Sequence, residues 1–414
     1  MIRVQAIPSN PLPTSTALDD GGIPRVSISH IVQEQGFEYG IPRGWETLVE
    51  GSGAVTLDDA LRNVRFSIGT ADGERALLQL KSKVRWRWGH SMALFLTGVL
   101  NHGNTSLAGG TKIRWGYFDD QDGQFLELSA SGAFLVFRSS TSGAPVDVAI
   151  PQSAWSSDRF DGAGPSKFDV NWAKVQRIWH SASSPGGGRG QFGLYVQNRL
   201  VQALQISSIN SRDDVPFLRT VLLSPRIELI NVGAGSGAVS QLYSTAMLEE
   251  GPLGDETGYI SATGTGVSGV SVNSTAYMPL LSLRLRDTME NFQMRGKLEL
   301  TSIQILNTGQ SPIHLRVIEN ASLTAPSWAL LDSANSLTEV DFAATGLTGG
   351  YTIASGFAGN TAGNSTPLVS IPNFPSKVYL GRSAAGARDS LTVAARGIGG
   401  SSVVHADISL HEVY

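Results

Sequence analysis

Between residues 111 and 231, apolar and polar positions alternate in short runs that end, one after another, at Gly, Asp, Ser or Pro. The runs at 112–118 (KIRWGYF), 124–128 (QFLEL), 133–138 (AFLVFR), 146–150, 175–181, 193–196, 200–206 and 226–231 are strand-length, with hardly a helix-length segment between them. Short pieces each closed by a turn predict an antiparallel β-sandwich. Residues 92–100 (MALFLTGVL) are apolar throughout, as for a strand central in its sheet. In residues 78–88, Leu80, Ser82, Val84, Trp86 and Trp88 alternate with Lys81, Lys83, Arg85 and Arg87. That pattern predicts one strand with its tryptophans in the core and its cations in solvent, where they discourage edge pairing. Phosphate or polysaccharide contact by the same residues is the competing reading.

A second β pattern begins near Met278, with strands expected at 280–285, 297–307, 313–318, 378–380, 390–395 and 403–410, and a last strand carried on through 406–413. In 297–307, Leu298, Leu300 and Leu306 fall on one side and Ile303 and Ile305 on the other, which predicts a strand covered on both faces. Residues 253–275 are rich in Gly, Ser and Thr and poor in apolar residues, as in a linker. Before residue 60, Pro8, Pro11, Pro13 and Pro24 interrupt any ladder, and only 26–32 (VSISHIV) fits a strand. The expected organisation is an N-terminal anchoring arm (1–60), a jelly-roll β-sandwich (61–252), the linker (253–275) and a smaller C-terminal β-sandwich (276–414). Removing residues 1–45 is then expected to leave a soluble, folded body.

Composition agrees with an all-β fold: glycine is abundant at 47 residues and charged residues make up only 16%. A net charge of −4 gives no overall field for polyanions, so no nucleic-acid partner is expected. The charge is uneven, with three Lys/Arg against eight Asp/Glu in residues 1–60 and 19 against 16 in 61–255. Ordinary scatter of surface charge, screened within ~10 Å, is the expected reading, and attraction between an acidic arm and a slightly basic body of neighbouring subunits is the competing one. There is no cysteine, which removes disulfides, thiolate catalysis and Cys-based metal centres. No apolar run approaches the ~18 residues that cross a bilayer, and no membrane partner is expected.

Chemical motifs are scarce. Residues 119–123 (DDQDG) resemble a calcium loop, but Phe118 and Ser129 would fall at its first and last ligand positions, so a hairpin turn closed by Asp-Gly is predicted. The stretch 183–190 (SSPGGGRG) lacks the Gly-Lys-Ser/Thr of a phosphate loop and reads as a long hairpin tip. Residues 264–269 match G-x-G-x-x-G, yet no helix follows, and no cofactor is expected. The seven histidines show no zinc-ligand spacing; His405 and Asp407 would share a strand face, more in the manner of a surface pair than of a metal site. No catalytic, cofactor-binding or metal-binding residue is assigned, and no enzyme is predicted. Glycoside hydrolysis leaves no motif, so the loop carboxylates Asp158, Asp161, Asp213 and Asp214 stay open as candidates. Exposed aromatics such as Trp155 or Trp172 are candidates for stacking on a sugar.

One resemblance is specific. Gly116-Tyr117-Phe118-Asp119 through Gly123-Gln124-Phe125-Leu126-Glu127, Arg138-Ser139-Ser140-Thr141-Ser142-Gly143, and 152–164 with Trp155 and Asp161-Gly162-Ala163-Gly164 carry it. Phe168-Asp169, Gly193-Leu194-Tyr195-Val196, residues 222–231, Ser327-Trp328 and Gly349-Gly350 extend it. Together they resemble a jelly-roll family of tailed-bacteriophage virion structural proteins, over residues 75–250 and more loosely 277–414. The tip at 183–190 departs from that pattern, where a more hydrophobic or acidic turn is expected. The resemblance implies a non-enzymatic part of the particle exterior: a capsid decoration, head fibre, or neck or tail appendage. It implies assembly with other virion proteins (capsid, neck or tail) and a homotrimer or another cyclic homo-oligomer. A receptor-recognition module of a tail fibre, binding a host surface glycan, is the alternative.

Overall fold

The computed structural model describes residues 29–87, 90–103, 106–183, 188–207, 218–250, 258–289, 292–360, 368–372 and 378–413. The chain divides into two compact units, Met1–Gly254 and Asp255–Tyr414, each with its own apolar core.

The first unit opens with β1 (Ser29–Gly36), β2 (Trp45–Glu50), β3 (Ala54–Asp58), β4 (Asn63–Ile68), β5 (Arg75–Leu80) and β6 (Val84–Arg85). There follow β7 (Ser91–Val99), β8 (Gly109–Phe118), β9 (Gly123–Ser129), β10 (Gly132–Ser139), β11 (Val146–Pro151) and a short 3-10 turn at Gln152–Ala154. The unit ends with β12 (Gln176–Ser183), β13 (Arg189–Val196), β14 (Arg199–Ser207), β15 (Leu222–Leu223), β16 (Pro225–Gly235) and β17 (Ala238–Glu250). One sheet runs β14-β13-β12-β7-β17-β4-β3, with β1 also on β17; the other runs β11-β10-β9-β8-β16-β5-β2. Among the crossings between the two sheets are those from β4 to β5, from β7 to β8 and from β16 to β17. Because β16 lies between β5 and β8, and β17 between β4 and β7, the last crossing nests inside the first two. This is an antiparallel jelly-roll sandwich.

Side-chain alternation decides what the two sheets enclose. In β7, Met92, Leu94 and Leu96 enter the core while Ala93, Phe95 and Thr97 are half-buried on the other face. The facing sheet contributes Ile113, Trp115, Leu126, Leu135, Ile227 and Leu229. Gly98 is needed where Trp115 reaches across: a Cβ there would lie 2.6 Å from the indole and 2.1 Å from the Gln241 carbonyl.

The eight strands expected between 112 and 231 are all present, and β7 is central in its sheet as predicted. The turn at 119–123 joins β8 to β9, with Asp119 Oδ1 accepting from the amides of Gln121 (2.8 Å) and Asp122 (2.9 Å). The tip at 183–190 joins β12 to β13, its residues 184–187 lying outside the described residues.

Some expectations need correction, beginning with the first unit and the linker. Residues 78–88 are not one strand: β5 stops at Leu80, and Lys83 and Arg87 reach Asp119 (4.0 Å) and Glu249 (3.5 Å) rather than solvent. Trp86 is in the core as predicted. The anchoring arm is not separate over its whole length. Residues 1–28 lie outside the described residues, but β1, β2 and β3 are sheet strands, and Phe37 and Trp45 are core residues in edge-to-face contact at 5.1 Å. The linker, too, contains strands of the second unit.

That unit opens with β18 (Tyr259–Gly264), β19 (Val270–Val272), β20 (Met278–Leu285), β21 (Thr288–Met289), β22 (Phe292–Gln293) and β23 (Lys297–Asn307). Next come β24 (Ile313–Glu319), β25 (Ser322–Thr324), β26 (Ala329–Leu330), β27 (Thr338–Asp341) and β28 (Gly346–Thr348). The last are β29 (Tyr351–Ala358), β30 (Leu368–Pro372), β31 (Tyr379–Leu380), β32 (Ser390–Gly397) and β33 (Ser402–Val413). One sheet is β18-β33-β23-β30, with β19 on β33 and β31 on β23; the other is β26-β27-β20-β32-β24-β29. Both sheets are antiparallel and enclose a core of Leu, Ile and Val.

The G-x-G-x-x-G stretch is the turn between β18 and β19, with Gly266 and Gly269 in the left-handed region at φ 66° and 61°. In β23 the apolar residues do not cover two faces. A bulge between Leu300 and Ser302 skips Thr301 and shifts the phase, so Leu298, Leu300, Ile303 and Ile305 all enter one core.

Candidate functional site

A cleft of about 910 Å³ is walled by the segment after β7, the β9–β10 turn, the end of β11 and the loop joining β11 to β12. Its polar lining includes Asn101, Gln152, Asp161, Asp169 and Asn171, and Trp172 is its aromatic wall.

The β11–β12 loop is held from within. Asp158 is buried, its carboxylate accepting from the amides of Phe160 (2.9 Å) and Ser166 (2.7 Å). Gly164 passes so close that a Cβ would lie 2.4 Å from Asp158 Oδ1. Phe160 adopts a left-handed φ of 49° with its ring buried edge-on to Trp155 and Phe168. Such a backbone persists only where its surroundings fix it. Gln152 Nε2 supplies one fixing bond, donating to the carbonyl of Arg159 at 2.7 Å.

Past Phe160 the loop folds back on itself. Val170 N donates to the Phe160 carbonyl (3.0 Å), Gly162 N to that of Phe168 (3.0 Å), and Asp161 and Asp169 stand opposite as bridge partners. Both carboxylates are exposed at the cleft. Asp161 accepts from Ala163 N (3.0 Å) and faces Arg159 at 3.2 Å. Asn171 Oδ1 accepts from Ala173 N (2.9 Å), and the Trp172 carbonyl accepts from Asn101 N (3.0 Å), tying the loop to the segment after β7. Trp172 is half-buried against the core and lines the cleft. The result is a fixed concave surface offering carboxylate acceptors, amides of both polarities and an indole.

Asp161 and Trp172 are the expected residues that meet here. Asp158 is spent on the loop's own amides, and Asp213 and Asp214 lie outside the described residues. Trp155 is not available to a sugar: it is buried, stacked edge-on to Phe192 at 5.1 Å, and its Nε1 donates to the Ile150 carbonyl. Asp169, Asn171, Asn101 and Gln152 were not among the expected site residues. The alternation Asp169, Val170, Asn171, Trp172 was a usable signal, whereas nothing local marks Asn101.

Other charged groups are satisfied elsewhere. On the face of the second sheet turned from the core, Glu228 accepts from Arg75 (2.6 Å), Arg226 (2.8 Å) and Arg114 (3.1 Å), and Arg114 continues to Glu127 (2.9 Å). Burial by itself would raise the Glu228 carboxyl; the arginines, Arg226 first, outweigh it and hold it well below the usual range. His180 is buried in the first core, and desolvation pushes it down to about 3, so it stays neutral. His405 contacts the Gly266 carbonyl (3.0 Å) and Thr308 (3.2 Å). Among the described residues no group of three or more His, Asp or Glu is placed to hold a metal ion.

No protein-family model matches the sequence, and no curated protein matches it. Solved structures with a loosely similar shape include an endo-1,3-β-glucanase from Streptomyces sioyaensis, at 8% identity and a TM-score of 0.36, covering 54% of this chain and 97% of that one. A legume lectin-like domain from Entamoeba histolytica is 12% identical with a TM-score of 0.31, covering 51% and 91%. Lectin II from Ulex europaeus is 7% identical with a TM-score of 0.32, covering 53% and 99%. Likenesses this loose assign no residue and no ligand.

Proposed function

We propose that the chain is a non-enzymatic component of a tailed-phage virion exterior and that its first sandwich binds a surface glycan through the cleft. The observation that carries the binding reading is the joining of Trp172 to Asp161, Asp169, Asn171 and Asn101 around one open concavity. Sugars offer vicinal hydroxyls that donate to carboxylates and exchange hydrogen bonds with amides, and an apolar C–H face that packs on an indole. Binding is favoured over hydrolysis because both carboxylates lining the cleft are exposed. A glycosidase acid is ordinarily a carboxyl kept protonated by its surroundings. The virion setting, its capsid, neck or tail partners and a cyclic homo-oligomer rest on the sequence resemblance given above.

The test is calorimetric titration of the purified chain with a panel of bacterial surface polysaccharides. At least one should bind, and Trp172→Ala and Asp161→Asn should each weaken it by about tenfold, the worth of one stacking or charge-assisted contact. Failure of every polysaccharide to bind, equal binding by both variants, or release of reducing sugar would overturn the reading. Absence of the chain from purified particles would overturn the virion setting separately.

A further inference from the structure

In the second unit, Arg396 of β32, His314 of β24 and Phe357 of β29 stand directly opposite one another in one row across three strands. Phe357 stacks on His314 with ring centroids 4.5 Å apart and planes at 22°, yet remains 70% exposed, which leaves its other face open. Tyr277 lies against the same group: its hydroxyl is 2.5 Å from His314 Nδ1, and Arg316 and Arg396 approach its ring at 4.3 and 5.2 Å.

What sets the cluster apart is its charge. Elsewhere in this unit Arg284 and Arg388 share Glu339, Arg382 pairs with Asp287, and Arg286 donates to the carbonyls of Thr288 and Ser336. Among the described residues, by contrast, no carboxylate lies within ion-pair distance of Arg316 or Arg396, and the buried Nε of Arg396 has no acceptor. Two guanidiniums converge on one aromatic ring with no carboxylate of the described residues paired to them. His314 registers this, being lowered by partial desolvation and then by both arginines.

We propose that this face binds a carboxylate-bearing sugar, its acid group on Arg396 and Arg316 and its ring on the open face of Phe357. Arg presents paired donors that match a planar carboxylate, and an exposed aromatic face suits a pyranose ring. Phe357 and Arg396 are two strands apart, about 10 Å at their backbones, a span of one to two sugar rings. A nucleic acid would offer phosphate and stacking as well, but residues 255–414 carry nine Lys/Arg against twelve Asp/Glu. A net negative unit that brings two arginines together at this face does not suit a polyanion that needs many phosphate contacts. A chain with its charges spaced by sugar rings suits it better.

The full chain is to be titrated with an oligogalacturonate, with the same oligosaccharide after carboxyl reduction, and with a single-stranded oligonucleotide. The oligogalacturonate should bind, the reduced form should not, and Arg396→Gln and Phe357→Ala should each weaken binding by about tenfold. Trp172→Ala, in the other unit, should leave this binding unchanged, which separates the site from the cleft. Phe357 is exposed, so its variant keeps the test valid if Arg396→Gln fails to fold. Equal binding of the reduced sugar, no binding of the acidic one, tighter binding of the oligonucleotide, or indifference to both substitutions would overturn the proposal.

Discussion

Glu228 is fully buried on the face of its sheet turned from the core, and three arginines converge on it. Removing one partner from such a cluster leaves like charges uncompensated in a place water does not reach. Glu228→Gln is therefore expected to lower the unfolding free energy by about 3–5 kcal/mol, measured by urea titration at neutral pH. The pH dependence has a definite sign. Because the folded-state carboxyl lies below its ordinary value of 4.5, its contribution is complete above that pH and drains away as pH falls towards the folded value. The wild type should lose stability on acidification below 4.5 more steeply than the variant; parallel acid limbs would contradict the assignment. At this scale the sequence was legible only in part. Asp161 and Trp172 could be picked out as a loop carboxylate and a spare aromatic, but Trp155 looked equally free. Its burial depends on Phe160 and Phe192, and Phe192 comes from another strand.

Elements were easier to read than their boundaries, and β23 shows where periodicity alone misleads. Its apolar residues change parity at Thr301, which reads as two buried faces, when a single unpaired residue has shifted the phase. Deleting Thr301 should then give a regular strand with Leu298, Leu300, Ile303 and Ile305 still facing inward. That deletion is expected to cost at most about 1–2 kcal/mol, within the range of ordinary single changes. Deleting Gln304 instead would turn Ile305 outward and should abolish cooperative unfolding. The two melting curves decide the matter; equal damage from both deletions would sink the bulge explanation. The strands at 112–231 were legible because each is short, alternating and closed by a turn residue. The strands inside 253–275 were not: Tyr259 and Ile260 of β18 are exposed, and β19 is only three residues long, with Val272 its one fully buried side chain.

For the whole molecule, two sandwiches and a terminal segment were foreseen, yet how much of the start of the chain belongs to the body was not. Proline-rich, acidic sequence before residue 60 argued for a detached arm, but pairing of β1 with β17 and burial of Phe37 are long-range contacts that no local pattern reveals. Deleting residues 1–45 removes β1, Phe37 and Trp45. The loss of Phe37 alone should cost about 3–5 kcal/mol, so a large fall in melting temperature is expected, where a detached arm would give none. The placement of β33 has a consequence for how the protein is made. It is the shared partner of β18 and β23, so residues 402–413 must have left the ribosome before that sheet can close. The first sandwich has all its described strands once Glu250 has emerged, but the second must wait on nearly its entire translation with two open edges. Nascent chains stalled or cut short before Ser402 should therefore be the species that chaperones and proteases engage.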